Sequence, residues 1–121
     1  DIDMDNRQRF RIYTGQRNNP TRNALFLDIS TWDGDAWNLT TQGSLVSDYI
    51  EDFQIVGSEI NGDGLPRIID IGVITRSHYN YYENDTQYDK PDHAPGNYEL
   101  SVNDKHMREE FYGTVNLRNI R

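Results

Sequence analysis

The chain has 121 residues, of which 35% are apolar and 26% charged. One domain fits that length. The apolar share, below the usual about 45–50%, allows only a thin core, such as a single sheet with one covered face. Twelve basic against 20 acidic side chains leave a net charge of -8 with no basic stripe, which argues against a nucleic-acid binder. The absence of cysteine excludes disulfides and thiol chemistry.

Asp1 to Asn6 is acidic and turn-like. Phe10 and Ile12 then alternate with Arg9, Arg11 and Tyr13, the period of a half-buried strand. Arg7, Arg9 and Arg11 share one face of that strand, either a solvated face or a docking surface for acidic neighbours. Asn18-Asn19-Pro20 marks a turn, and Leu25, Leu27 and Ile29 alternate beyond it, so the spacing predicts a hairpin. Asp33-Gly34-Asp35 is a further turn. Gly43-Ser44 then caps a predicted two-turn helix, with Leu45, Val46, Tyr49, Ile50 and Phe53 near one face. Phe53 and Ile55 return to period two and start a third strand.

Asn61-Gly62-Asp63-Gly64 is the clearest turn, and Pro66 opens the best strand. Ile69, Ile71, Val73 and Thr75 lie on one face of it, with Ile68, Asp70, Gly72, Ile74 and Arg76 on the other, the pattern of a central strand. From His78 to His106 no period is sustained, although Tyr98, Leu100 and Val102 suggest a short strand. Loops of that length are often functional. Phe111, Gly113, Val115 and Leu117 form a closing strand. The predicted class is α+β: a mostly antiparallel sheet of about five strands with one short helix, in a single domain over 1–121.

Candidate chemistry is sparse. Asp1, Asp3 and Asp5 resemble the opening of a calcium loop, but Asn6 and Ile12 stand where that loop needs Gly and Glu. A solvated acidic turn is the plainer reading, with calcium as the cofactor left open. Asn61 to Gly64 has the same ambiguity. His78, His93 and His106 are too widely spaced for the tight ligand pairs of a zinc site. Ser44, Ser47, Ser58, Ser77 and Ser101 lack a nucleophile-elbow context. No catalytic, cofactor-binding or metal-ligating residue is assigned, and no enzyme is expected. The most suggestive stretch is the tyrosine-rich one, with Tyr79, Tyr81, Tyr82, Tyr88 and Tyr98, whose rings suit contact with sugars or proteins or else cover a thin core.

Three segments in order carry a resemblance. Residues 43–57 (GSLVSDYIEDFQIVG) resemble a short apolar helix running into a strand in PilW-like minor pilins of type IV pili and J-type pseudopilins. Residues 65–77 (LPRIIDIGVITRS) are similar to the following family strand, and residues 110–119 (EFYGTVNLRN) to its closing strand. The resemblance implies the globular head of a pilin-like subunit, with 77–106 as a long, Tyr-rich variable loop. It implies a structural role at the cell surface, periplasmic before assembly. Other pilin subunits would be the partners, together with an apolar N-terminal helix in cis or as a separate chain. That helix is the family's only membrane element, and no run of about 18 apolar residues occurs here. The start at Asp1 without Met therefore suggests a fragment or processed product, and an apolar sheet face is expected to lie open. The alternative is a secreted, calcium-assisted carbohydrate-binding module.

Overall fold

The regular structure of the described residues is all strand: β1 (Gln8–Arg17), β2 (Arg22–Trp32), β3 (Trp37–Ser47), β4 (Ile50–Ser58), β5 (Ile68–Arg76), β6 (Thr86–Asp89), β7 (Ser101–Asp104) and β8 (Arg108–Asn116). The structure, a computed structural model, describes residues 7–58, 62, 64 and 67–116. Three antiparallel sheets result, ordered β1-β2-β3, β4-β5-β8 and β6-β7. The expected α+β class with one helix is therefore wrong: the fold is all-β, with eight strands and no helix among the described residues. The chain divides into two compact units, Asp1–Asp48 and Tyr49–Arg121.

In the first unit, the predicted hairpin forms. Its turn carries Asn19 in the left-handed region, at φ 64°, and a cis Asn19–Pro20 peptide. Its register sets Phe10 opposite Ile29 and Ile12 opposite Leu27 on one face, with Arg11 opposite Asp28 and Tyr13 opposite Phe26 on the other. Asp33 shapes the next turn: one carboxylate oxygen accepts from the Asp35 and Ala36 amides, both at 2.8 Å, and the other from the Asn38 side chain.

The predicted helix over 43–53 is instead a strand end, a turn and a strand start. Gly43 sits at φ 62°, inside a strand whose pairing with β2 is irregular, and its amide donates to the Asp28 carboxylate at 2.8 Å. β3 continues to Ser47, and Asp48 is held there by Arg17 at 2.8 Å and Arg22 at 2.9 Å. Tyr49, at φ 57°, then turns the backbone before β4. A left-handed residue ends any right-handed helix, and branched Val46, Ile50, Ile55 and Val56 favour strands. The spacing of Leu45, Tyr49 and Phe53 imitates a helix across what is a turn.

In the second unit, β5 is central, as its two-sided apolar pattern predicts. One face of its sheet carries the rows Phe53–Val73–Phe111 and Ile55–Ile71–Gly113, then Ile69 beside Val115. The other carries Asp52–Ile74–Glu110 and Gln54–Gly72–Tyr112. The stretch expected as a loop over 77–106 holds β6 and β7 and packs on this second face. Buried Ile50, Ile74, Ala94, Leu100 and Asp52 mark the core there.

Candidate functional site

The two faces of the β4-β5-β8 sheet differ sharply in cover. On the face shared by β4, β5 and β8 side chains alone, Ile55 and Phe111 are each 55% exposed and Val115 44%. Phe53, Ile69, Ile71 and Val73 are half-buried beside them. Large contiguous apolar exposure of this kind marks an interaction surface. The first unit also exposes apolar side chains: Phe10 is 59% and Ile12 48% exposed opposite Ile29 and Leu27, and Leu39, Leu45 and Val46 on β3 are exposed as well.

The opposite face of the second sheet is covered over β4 and β5 by the 77–106 segment, with Tyr112 on β8 still 38% exposed, and buried charge fastens it. The Lys90 ammonium lies 2.5 Å from the Asp52 carboxylate, and their side chains are only 7% and 5% exposed. Lys90 also donates to the carbonyls of Pro95 at 3.2 Å and Tyr98 at 3.0 Å. Arg108, 2% exposed, forms a second fastening. It donates to both Asp104 oxygens and, at 2.7 Å, to Glu51. Its Nε is buried without a hydrogen-bond partner among the described residues. The Arg108 hydrogen bonds hold the Asp104 carboxyl down at about 2. Burial, then the Glu110 carboxylate, pushes the Tyr112 hydroxyl up to about 12 and the Tyr88 hydroxyl further still. These groups are tuned by structural pairing, as opposite charges and burial dictate.

The structure separates the residues singled out from sequence. Tyr79, Tyr81, Tyr82 and Tyr98 are exposed, whereas Tyr88 is half-buried and donates to Glu110. Tyr81 meets Tyr82 edge-on at 5.1 Å, and Tyr98 lines a hollow of about 490 Å³ within 89–101. The rings therefore form no single platform. His78 lies between Tyr49 and Tyr79, and His93 rests on Tyr112. His106 contacts Arg76 and the Tyr79 carbonyl. No group of three or more His, Cys, Asp or Glu among the described residues could hold a metal ion. Asp1, Asp3 and Asp5, with Asn61 and Asp63, lie outside the described residues. The fastenings escaped the sequence reading because Asp52 is 38 positions from Lys90 and Glu51 57 from Arg108. Asp52 moreover falls within the predicted helix over 43–53, which gives no hint of them.

A third feature stands on the first unit. The Arg9 guanidinium lies 4.7 Å over the Trp37 ring, and Arg7 lies 5.3 Å over Trp32. Arg11 lies 4.5 Å over Tyr13 and reaches the Asp28 carboxylate at 3.5 Å. Arg9, Arg11, Asp28, Ser30 and Trp37 help line an open hollow of about 680 Å³.

Comparison with protein-family models, curated proteins and solved structures finds no match.

Proposed function

We propose that this chain is a structural subunit of a type IV pilus or pilus-like filament, a head whose sheets are platforms for packing. The observation that carries the reading is the one-sided cover of the β4-β5-β8 sheet. Buried ion pairs fasten the cover of one face, while Ile55, Phe111 and Val115 stay open on the other. An apolar helix, in cis or as a separate chain, is the occupant that this face fits. A helix presents a continuous apolar stripe, and burying such side chains contributes about 25 cal/mol per Å². The resemblance of 65–77 and 110–119 to pilin strands adds support, because β5 and β8 pair directly and jointly build that face. The corrected 43–53 segment withdraws the helical part of the resemblance. The exposed 77–106 segment serves subunit packing and adhesion, at the cell surface after a periplasmic stage.

A second reading, a secreted carbohydrate-binding module assisted by calcium, draws on the exposure of Tyr79, Tyr81 and Tyr98. Rings of this kind stack on sugars.

Hydrogen exchange on the chain with and without a detergent-solubilised apolar pilin helix peptide, against detergent alone, tests the first reading. New protection in β4, β5 and β8, lost in an Ile55→Asp/Phe111→Asp variant, is expected. No protection, or protection that the variant retains, overturns it. Binding on a glycan array, abolished by Tyr79→Ala with Tyr81→Ala, supports the second.

A further inference from the structure

Charge is distributed unevenly along the chain. Residues 1–48 carry five arginines against seven aspartates, a net of -2, with Asp1, Asp3 and Asp5 all placed before the first arginine. Residues 49–121 carry seven basic against 13 acidic side chains, a net of -6. Within each part charge of one sign is concentrated. Arg7, Arg9 and Arg11 recur at every second position entering and along β1, so their Cα atoms follow one another at intervals of about 7 Å on one side of the strand. Aromatic faces beneath hold them in place, which lowers the side-chain entropy lost when a partner binds. Among the described residues neither Arg7 nor Arg9 is in an ion pair, and the Arg11 side chain, paired to Asp28 at 3.5 Å, is still 70% exposed.

The complementary feature lies in the second unit. Glu83, Asp85, Asp89 and Asp92 are all exposed. The one cation among them, Lys90, is buried against Asp52 and contributes nothing to the outer surface. The segment therefore presents carboxylates alone, next to exposed Tyr81 and Tyr82.

We propose that the arginine row of β1 is a docking surface for the acidic 83–92 segment of a second copy of this chain. The charges are complementary, and Arg is suited to paired hydrogen bonds with carboxylates. Two copies, each at a net charge of -8, repel at long range, so the contact draws on local pairing of the arginine row with the carboxylates. The two patches are different surfaces. A bound pair thus keeps one of each free, so further copies can add head to tail. This deepens the filament reading by naming how neighbouring heads meet, and rests on it.

Charge reversal tests the contact. The purified chain at about 0.1 mM is sedimented in about 0.05 M and about 0.5 M salt, since screening at the higher salt shortens the range of these charges to a few ångströms. Salt-sensitive association, at least about ten-fold weaker at high salt, is expected. Arg7→Glu/Arg9→Glu and Glu83→Lys/Asp85→Lys should each be monomeric alone. An equal mixture of the two should associate again, because each supplies what the other lacks. A wild-type chain that stays monomeric at low salt, variants that associate like wild type, or a mixture that fails to recover would each overturn the proposal. Ile55→Asp/Phe111→Asp separates the two readings. It should leave this association intact while abolishing helix protection, and helix protection that persists without salt-sensitive association sinks only the arginine-row contact.

Discussion

Pro95 lies directly over Gly72: a methyl group built on that glycine would come within 2.9 Å of two carbons of the proline ring. Gly72 is in the middle of the central strand, where a side chain normally helps a sheet. Its absence here lets the 77–106 segment sit flat on the polar face. Gly113, on the neighbouring strand, points its hydrogen toward the open face and would meet nothing within 4 Å. Gly72→Ala should therefore cost about 1–3 kcal/mol, the usual penalty of overpacking a tight contact. Gly113→Ala should be neutral or stabilise by a few tenths to about 1 kcal/mol through lost unfolded-state entropy. Urea unfolding of both variants, followed by far-UV circular dichroism, checks the contrast. Equal effects would mean that Pro95 does not rest on β5.

The Lys90–Asp52 pair makes a different kind of prediction. Both groups are almost wholly out of water, and Asp52 also accepts a hydrogen bond from Gln54 at 2.8 Å. Removing one partner leaves a buried charge, so Lys90→Met should cost about 3–5 kcal/mol. A pair of this kind repays its own desolvation poorly, so Lys90→Met combined with Asp52→Leu should recover most of that loss. Some deficit should remain, because the Pro95 and Tyr98 carbonyls lose their donor. A denaturant double-mutant cycle measures the coupling. Additive losses would show that the two charges do not pair in solution.

Much of the strand pattern was legible because period two is a direct consequence of pleat. The alternation at Phe10 and Ile12, at Leu25 to Ile29 and at Ile69 to Val73 gave both the faces and the central place of β5. The failure at 43–53 has a local cause. Two strand ends joined by a left-handed Tyr49 place apolar side chains at four-residue intervals, and period alone does not separate that from a helical stripe. β6 was hidden, and β7 was met only in part by the suggested strand at Tyr98, Leu100 and Val102, for another reason. Each is four residues long, and their side chains serve hydrogen bonds such as Ser101 to Asp89 rather than an apolar face. The open apolar face could be listed from sequence, and the resemblance led to an open face being expected, but which face the 77–106 segment covers could not be read. That choice is made by Gly72 and by ion pairs between residues far apart in the chain.

Acid should loosen the second fastening in a defined window. Asp104 ordinarily would titrate near 3.8, and the Arg108 hydrogen bonds hold it at about 2 in the folded chain. A carboxyl whose folded value is lower than its unfolded one binds fewer protons when folded. Its contribution is therefore complete above about pH 4 and is lost as pH falls from there through about 2. The Asp104 side chain is 35% exposed, so water and salt screen part of the effect, and it should shrink as ionic strength rises. Thermal unfolding of wild type and Asp104→Asn between about pH 5 and pH 2 checks this. The wild type should lose midpoint temperature faster than the variant across that interval, and the two curves should converge at its acid end. Parallel curves would mean that Asp104 titrates alike in the folded and unfolded chain, and that Arg108 is neutralised mainly by Glu51.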